Sequence, residues 1–294
     1  MPLAATGELI AEATAARRAV AAFNVITLEH VEAVIAGAES VNAPVVLQVS
    51  ENAVKFRHGR LLPLAHAAAE AAEGAAVPVA LHLDHVRSDD LLRQAALAGF
   101  SSVMYDAARL PYQENLAATR AAADWAHAQG LWIEAELGQV GGKKGDPPPD
   151  PHAPGARTDP GEAVAFVTES GVDALAVAIG STHAMTTRTA ALDHGLLERL
   201  SAALDVPLVL HGSSGLPDEE LTAAVAGGIA KINIGTALNI SMTGAIREFL
   251  TAHPAAVDSR TYLGVGREAM ARAVAHLITV LGRGGARSPD QASP

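Results

Sequence analysis

The sequence predicts an α/β fold, a (β/α)8 TIM barrel, on three observations. Short apolar, β-branched runs recur along the whole chain at intervals of about 20 to 40 residues. Ala- and Leu-rich segments with apolar spacing of three and four separate most of them. Hydrophobic residues make up 49% of the chain but aromatics only 3%, so the core must be built from Ala, Val, Leu and Ile. Alternating strand and helix signals specify a parallel sheet, and aliphatic side chains suit helices packed closely against one.

The strand candidates are Val20–Val25, Val45–Val49, Val77–Leu83, Ser102–Tyr105, Leu131–Leu137, Val172–Ile179, Pro207–Leu210 and Ile229–Ile234. Helical spacing lies between them, as in Leu28–Ala38, Leu61–Ala72, Asp89–Ala98, Glu114–Ala128 and Asp218–Ala226. Pro44, Pro78 and Pro207 precede strands, and Asp89, Asp159 and Asp218 stand where helices begin. A doubly wound open sheet is the structural alternative. It would carry fewer strands and an early phosphate loop such as GxGxxG, and none follows the first strand.

The chain of 294 residues accommodates a barrel, which takes about 250. The reading is therefore one barrel domain over 1–285 and a disordered tail over 286–294. A last helix is expected at Arg267–Leu281, after TYLGVG. Gly138 to Pro160 is too rich in Gly and Pro for a helix and too long for a routine turn. It is expected to be a mobile loop over the active site, against the plainer reading of a solvated surface excursion.

The formal net charge of −11, with no Lys/Arg cluster, argues against nucleic acid as a partner. The absence of cysteine removes disulfides, thiolate catalysis and Cys-based metal sites, and leaves the 12 histidines as the soft ligands. The N-terminus lacks the basic and apolar regions of a signal peptide. No apolar stretch approaches the roughly 20 residues that span a bilayer. A soluble, cytoplasmic protein without a membrane partner is expected.

Functional side chains of such barrels gather at the C-terminal ends of the strands. The third strand ends in His82-Leu83-Asp84-His85, the sixth runs into Gly180-Ser181-Thr182-His183, and the seventh ends in His211-Gly212. A single strand-end histidine is more often a satisfied polar residue than a ligand, but three on one rim match catalytic zinc, which takes three protein ligands and keeps one position open. Adjacent Asp84 and His85 share that rim only if the strand ends or bulges there. His82 has the parity of Asp84 and either faces the interior or supports a ligand.

Asp106 closes the fourth strand, and Glu134 and Glu136 point to one side of the fifth. Each is either a participant at the metal or a partner of Lys or Arg inside the barrel. Gly212-Ser213-Ser214-Gly215 and Asn233-Ile234-Gly235-Thr236 follow the last two strands, where barrels commonly bind phosphate.

The segments AFNV, LQVSEN, LHLDH, SVMYD, EAELGQVGG, DALAVAIGSTH, PLVLHGSSG, KINIGT and YLG occur in this order. Together they resemble the class II, zinc-dependent fructose-bisphosphate and tagatose-bisphosphate aldolase family over nearly the whole chain. The resemblance implies zinc, or another divalent metal, on His85, His183 and His211, with Glu136 as an alternative metal position and a monovalent cation as an optional second ion. It makes Asp84 the proton-transfer residue. Gly212, Ser213, Ser214, Asn233, Ile234, Gly235 and Thr236 would bind the dihydroxyacetone phosphate portion, Asn24 would be a further substrate-binding residue, and Ser50 would lie near a distal phosphate. The implied reaction cleaves or condenses a phosphorylated ketose through a metal-stabilised enediolate. A Schiff base on Lys231 is not required, since this lysine occupies an ordinary strand position of the family. A homodimer or homotetramer is also implied, with TYLGVGR resembling a segment that lends an arginine across the interface.

The departures lie near the substrate. Where the family's loop carries paired acids, this chain has Lys143 and Lys144, and a lysine replaces a carboxylate base only if its pKa is strongly depressed. Asp146 is the nearby acid that could take the proton role. Ala184, Met185 and Thr186 replace a glycine and an aromatic, and Ala107-Ala108-Arg109 replaces a small-polar-histidine pattern. A different sugar or sugar acid, handled by an aldolase, isomerase or epimerase, therefore stands beside the main reading. A non-catalytic sugar-phosphate-binding homologue is the third. If the lysine pair sets the substrate, Lys144→Glu gains fructose-bisphosphate cleavage in a coupled triose-phosphate assay; unchanged selectivity counts against that role.

Overall fold

The computed structural model describes residues 3–138, 140 and 156–283. Its elements run α1 (Thr6–Ala15), β1 (Val20–Asn24), α2 (Leu28–Ser40), β2 (Val45–Ser50), α3 (Glu51–Phe56), α4 (Leu62–Glu73), β3 (Val79–Val86) and α5 (Asp89–Leu92). They continue with β4 (Ser102–Tyr105), α6 (Tyr112–Ala128), β5 (Trp132–Leu137), α7 (Pro160–Ser170), β6 (Ala174–Val177) and α8 (His194–Ala203). The last are β7 (Leu208–Leu210), α9 (Asp218–Ala226), β8 (Ile229–Ile234), α10 (Thr236–Ala252) and α11 (Ser259–Gly282). Every consecutive pair of strands is parallel, and β1 also pairs with β8, so the sheet closes into the expected eight-stranded barrel. The tail over 286–294 lies outside the described residues, and among those described no helix is long and apolar enough to cross a membrane.

Strand alternation divides each strand between two environments. Outward residues such as Phe23, Leu47, Leu81, Leu83, Ile133 and Leu175 pack under the helices in one continuous apolar cluster. Inward residues at the N-terminal end of the barrel are small and apolar: Val20, Ala22, Val46, Ala80 and Ala230 meet Leu9, Ile10 and Ala13 of α1, which plugs this end. Small residues leave room for the plug and keep the lower barrel dry. Continuing the same parity toward the C-terminal mouth brings in Asn24, Gln48, His82 and Asp84, so the polar layer stands on an apolar floor. Thr6 of α1 ties the two together, because Ser102 Oγ donates to Thr6 Oγ1 at 2.6 Å and pairs with His82 Nδ1 at 2.8 Å.

Two expected helices have different extents. Asp89–Ala98 is helical only over Asp89–Leu92 and then turns, with Gln94 and Ala95 N–H donating three residues back instead of four. The final helix starts at Ser259, well before Arg267, behind Asp258, whose carboxylate accepts from Arg260 N–H. Gly264 and Gly266 make that first part look like a loop in sequence. Gly266 is in fact a packing position, since a Cβ there would lie 3.1 Å from Ile246 and Met242 of α10.

Candidate metal centre and active site

The conflict between adjacent Asp84 and His85 is resolved by a bulge. The register of β3 against β4 shifts between Leu83 and Val86, and His85 adopts φ 52°. Left-handed backbone costs a non-glycine residue about 1 to 2 kcal/mol. The strain turns the His85 ring toward the mouth while Asp84 keeps its inward direction. A second constraint brings in the neighbouring loop: Gly212 has φ 67°, and a Cβ there would fall 2.7 to 2.9 Å from backbone atoms of Thr182. Only glycine lets the chain before His183 lie against the residue after His211.

The result is a cluster of His85, His183 and His211 whose candidate donor atoms all lie within 4.8 Å of one another. The ring centroids are 4.9, 5.3 and 5.9 Å apart, and His85 meets the other two edge-on, at 71° and 73°. Three nitrogens 2.0–2.1 Å from one tetrahedral ion would be about 3.4 Å apart, so the rings must draw closer on binding, and His211, bonded to a carboxylate at both nitrogens, must release one of them. Three imidazoles with one open side are a donor set suited to zinc.

Carboxylates hold two of these rings, His85 and His211. Asp106 Oδ2 lies 3.0 Å from His85 Nδ1 and also accepts from Arg87 Nη2 at 3.1 Å. His211 sits between two acids, with Nε2 2.8 Å from Glu134 Oε1 and Nδ1 3.0 Å from Glu136 Oε2. The other Glu134 oxygen accepts from Lys231 Nζ at 2.7 Å, and Lys231 also donates to Asn233 Oδ1 at 2.8 Å. All of these groups except His85 and Arg87 are buried. Carboxylates behind imidazoles fix ring orientation and raise ligand basicity.

Electrostatics follow from this packing. Burial alone would lower His211, but its hydrogen bonds to Glu134 and Glu136, with their charges, raise it to about 9. Burial would raise Glu134, yet Lys231 and His211 hold it well below the usual carboxylate range. Burial works against ionised Asp84 too, but neighbouring His85, His211 and Lys231 hold it at about 2. Asn24 Nδ2 donates to its Oδ2 at 2.9 Å, and Asn233 Nδ2 reaches Oδ1 at 3.5 Å. Burial and the nearby Lys231 charge push His82 down to about 3, which leaves it neutral.

Residues 4–286 match the family model of class II fructose-bisphosphate aldolase. The chain belongs to this family. It is an aldolase-type lyase, and its fold is shared by the YdjI aldolase from Escherichia coli K12, with 32% identity, a TM-score of 0.82, and 95% of this chain and 97% of that one covered. A Coccidioides immitis structure, provisionally assigned as a fructose-1,6-biphosphate aldolase, gives 29% identity and a TM-score of 0.83 over 95% of this chain and 98% of its own. Fructose-bisphosphate aldolase from Campylobacter jejuni extends the likeness of fold, at 24% identity and a TM-score of 0.79 with 95% of each chain covered.

The other expected site residues of the aldolase fall into three groups. Ser50 stands beside Asp84 in strand register and caps α3, accepting from Ala53 N–H at 3.2 Å. Ser213 Oγ donates to the Asn233 carbonyl, Ser214 Oγ accepts from Ala237 N–H at 3.2 Å, and α10 begins at Thr236. The turns after β7 and β8 are thus bonded to each other at a helix N-terminus, an arrangement suited to an anion. Lys143, Lys144 and Asp146 lie outside the described residues. Ala184, beside His183, has φ 58°, a conformation that the family's glycine would adopt without strain.

Sequence reasoning left three features unassigned. Glu134 is not only a lysine partner but also holds His211; its parity with Glu136 was the available signal. Asn24 and Asn233, expected on the substrate, also hold Asp84. Arg87 was not singled out, and only its place just beyond the bulge suggested a role.

The raised His211 makes a quantitative prediction. Up to about pH 9 the free protein holds a proton that a ligating nitrogen must give up, so metal affinity rises with pH. Calorimetric zinc titrations in buffers of different ionisation enthalpy should show about one proton released per ion at pH 7. Between pH 6 and 8 the association constant should rise at least about tenfold per unit. An affinity independent of pH over this range contradicts the arrangement.

Proposed function

We propose that this enzyme is a zinc-dependent aldolase that cleaves, and in reverse forms, the C3–C4 bond of a phosphorylated ketose, with dihydroxyacetone phosphate as one product. The observation that carries the reading is an ionised, buried Asp84 held by two amides immediately beside three convergent imidazoles. A pure binder of sugar phosphates has no use for an ionised carboxylate in that position. His85, His183 and His211 would hold the ion, with Glu136 as its alternative ligand. The bound ion supplies Lewis-acid stabilisation for the charge left on the ketose carbonyl oxygen, which is that of an enediolate.

The chain's own residues account for the rest. The C3–C4 electron pair stays with C3, C4 becomes an aldehyde carbon, and the C4 hydroxyl proton moves to Asp84. With a pKa of about 2, Asp84 is far too weak a base to deprotonate an alcohol before the bond breaks. It can accept the proton as cleavage proceeds, when the hydroxyl turns into a carbonyl and its proton becomes acidic. Oδ1 has the greater capacity to accept, because the Asn233 contact is longer than the Asn24 bond to Oδ2. The turns Gly212–Ser214 and Asn233–Thr236 would anchor the 1-phosphate beside the α10 N-terminus, with Asn24 on the substrate side of Asp84. Dimers or tetramers are the assembly expected for such an enzyme; here the TYLGVGR arginine, Arg267, pairs with Glu32 of its own chain.

Triose phosphate should appear from one or more of a panel of ketose 1-phosphates and 1,6-bisphosphates, and a chelator should abolish it. Asp84→Asn keeps the shape and the Asn24 bond but removes the proton acceptor. It should lower kcat by about 10²- to 10⁴-fold with zinc affinity within about threefold of wild type. An unaltered kcat removes Asp84 from the proton-transfer role.

A further inference from the structure

Among the described residues the buried acids are Asp84, Asp106, Glu134, Glu136 and Glu51. The first four surround the histidine cluster. Glu51 stands apart, on the first turn of α3, with no part in the chemistry. Its Oε1 pairs with Lys55 one helical turn on, a largely exposed lysine and therefore a weak tie. Its Oε2 accepts from the Arg87 N–H at 2.7 Å. A backbone amide at the end of β3 is thus the firmest partner of this acid.

The need for it arises because β2 is shorter than β3 at this end. Pairing between them stops at Ser50 and Asp84, where β2 turns into α3, while β3 runs on to Val86. Past Asp84 there is no β2 carbonyl left to meet, and a backbone N–H must find another acceptor. Glu51 supplies it from a side chain. On the opposite edge the Asp106 N–H donates to the Val86 carbonyl at 2.7 Å. The chain just after the bulge is therefore stitched to a neighbour on each side.

His85 lies between two fixed points. Asp84, behind it, is held by strand pairing and by the amides of Asn24 and Asn233. Arg87, ahead of it, is held through its backbone by Glu51 and through its side chain by Asp106. The left-handed φ of 52° at His85 persists only while both ends stay in place. Asp106 also touches His85 Nδ1, so a displaced Arg87 disturbs the ring by two routes.

We infer that Glu51 is a positioning residue for the metal centre: through the Arg87 N–H it fixes the bulge that aims His85 at His183 and His211. The inference rests on the metal-dependent aldolase reading and deepens it. What Glu51 contributes is the reach of an acceptor oxygen, not its charge, which Lys55 already matches.

Three variants separate reach from charge. Glu51→Gln keeps an acceptor oxygen at the same length, Glu51→Asp keeps the charge but withdraws it by one methylene, and Glu51→Ala removes both. Zinc affinity is measured by calorimetry on the folded full-length protein, and exchange of the Arg87 amide proton is followed by NMR without metal. Glu51→Gln should stay within about threefold of wild type on zinc, whereas Glu51→Asp and Glu51→Ala should lose about ten- to a hundredfold. Arg87 amide exchange should quicken in those same two variants and not in Glu51→Gln. In a His85→Ala background, Glu51→Ala should cost less than about threefold more, because its effect passes through His85. Loss in Glu51→Gln with retention in Glu51→Asp overturns the inference in favour of a charge effect. Unchanged zinc affinity in Glu51→Ala, or an undiminished loss in the His85→Ala background, reduces Glu51 to a structural residue and overturns it equally. A wild type that binds no zinc brings down the metal reading instead, and the exchange pattern then still decides whether Glu51 holds the bulge.

Discussion

Four carboxylates, Asp84, Asp106, Glu134 and Glu136, are buried inside or at the mouth of one closed sheet. Removing an ion from water costs several kcal/mol even after relaxation, and an unpaired charge in this position would protonate instead. Three of the four have a countercharge or imidazole in direct contact: Lys231 and His211 for Glu134, His211 for Glu136, and His85 and Arg87 for Asp106. Asp84 has amides in place of a cation and depends on the field of the whole cluster. The network is mutually dependent, because Lys231 keeps Glu134 ionised, Glu134 orients His211, and His211 helps to keep Asp84 ionised.

The backbone accepts local strain to assemble this network. His85 and Ala184 hold left-handed conformations without being glycine, and Gly212 permits a backbone approach that no side chain allows. All three positions are histidine-cluster members or their immediate neighbours, and Gly212 also opens the turn that follows β7. Strain at such points persists only where surrounding structure over-determines it. Here the rigid barrel, plugged below by α1 and covered by helices, supplies that determination.

The closed sheet was legible because burial on both faces writes itself into uninterrupted β-branched runs, and the three histidines because each ends one of them. Their convergence needed a bulge that alternation cannot predict, since adjacent Asp84 and His85 point to opposite faces in regular strand. Glu134 was ambiguous for a related reason: parity placed it inside the barrel but could not distinguish Lys231 from His211, and it touches both. Helix ends were least legible where glycine serves packing instead of chain reversal, as at Gly266.

The central claim is that His85, His183 and His211 share one ion. Equilibrium dialysis of zinc against the folded protein and its His85→Ala, His183→Ala and His211→Ala variants, with circular dichroism to verify folding, addresses it directly. The account requires one tightly held ion per chain and a loss of at least about a hundredfold in affinity in each variant. Full affinity and stoichiometry in any one of the three folded variants would contradict it.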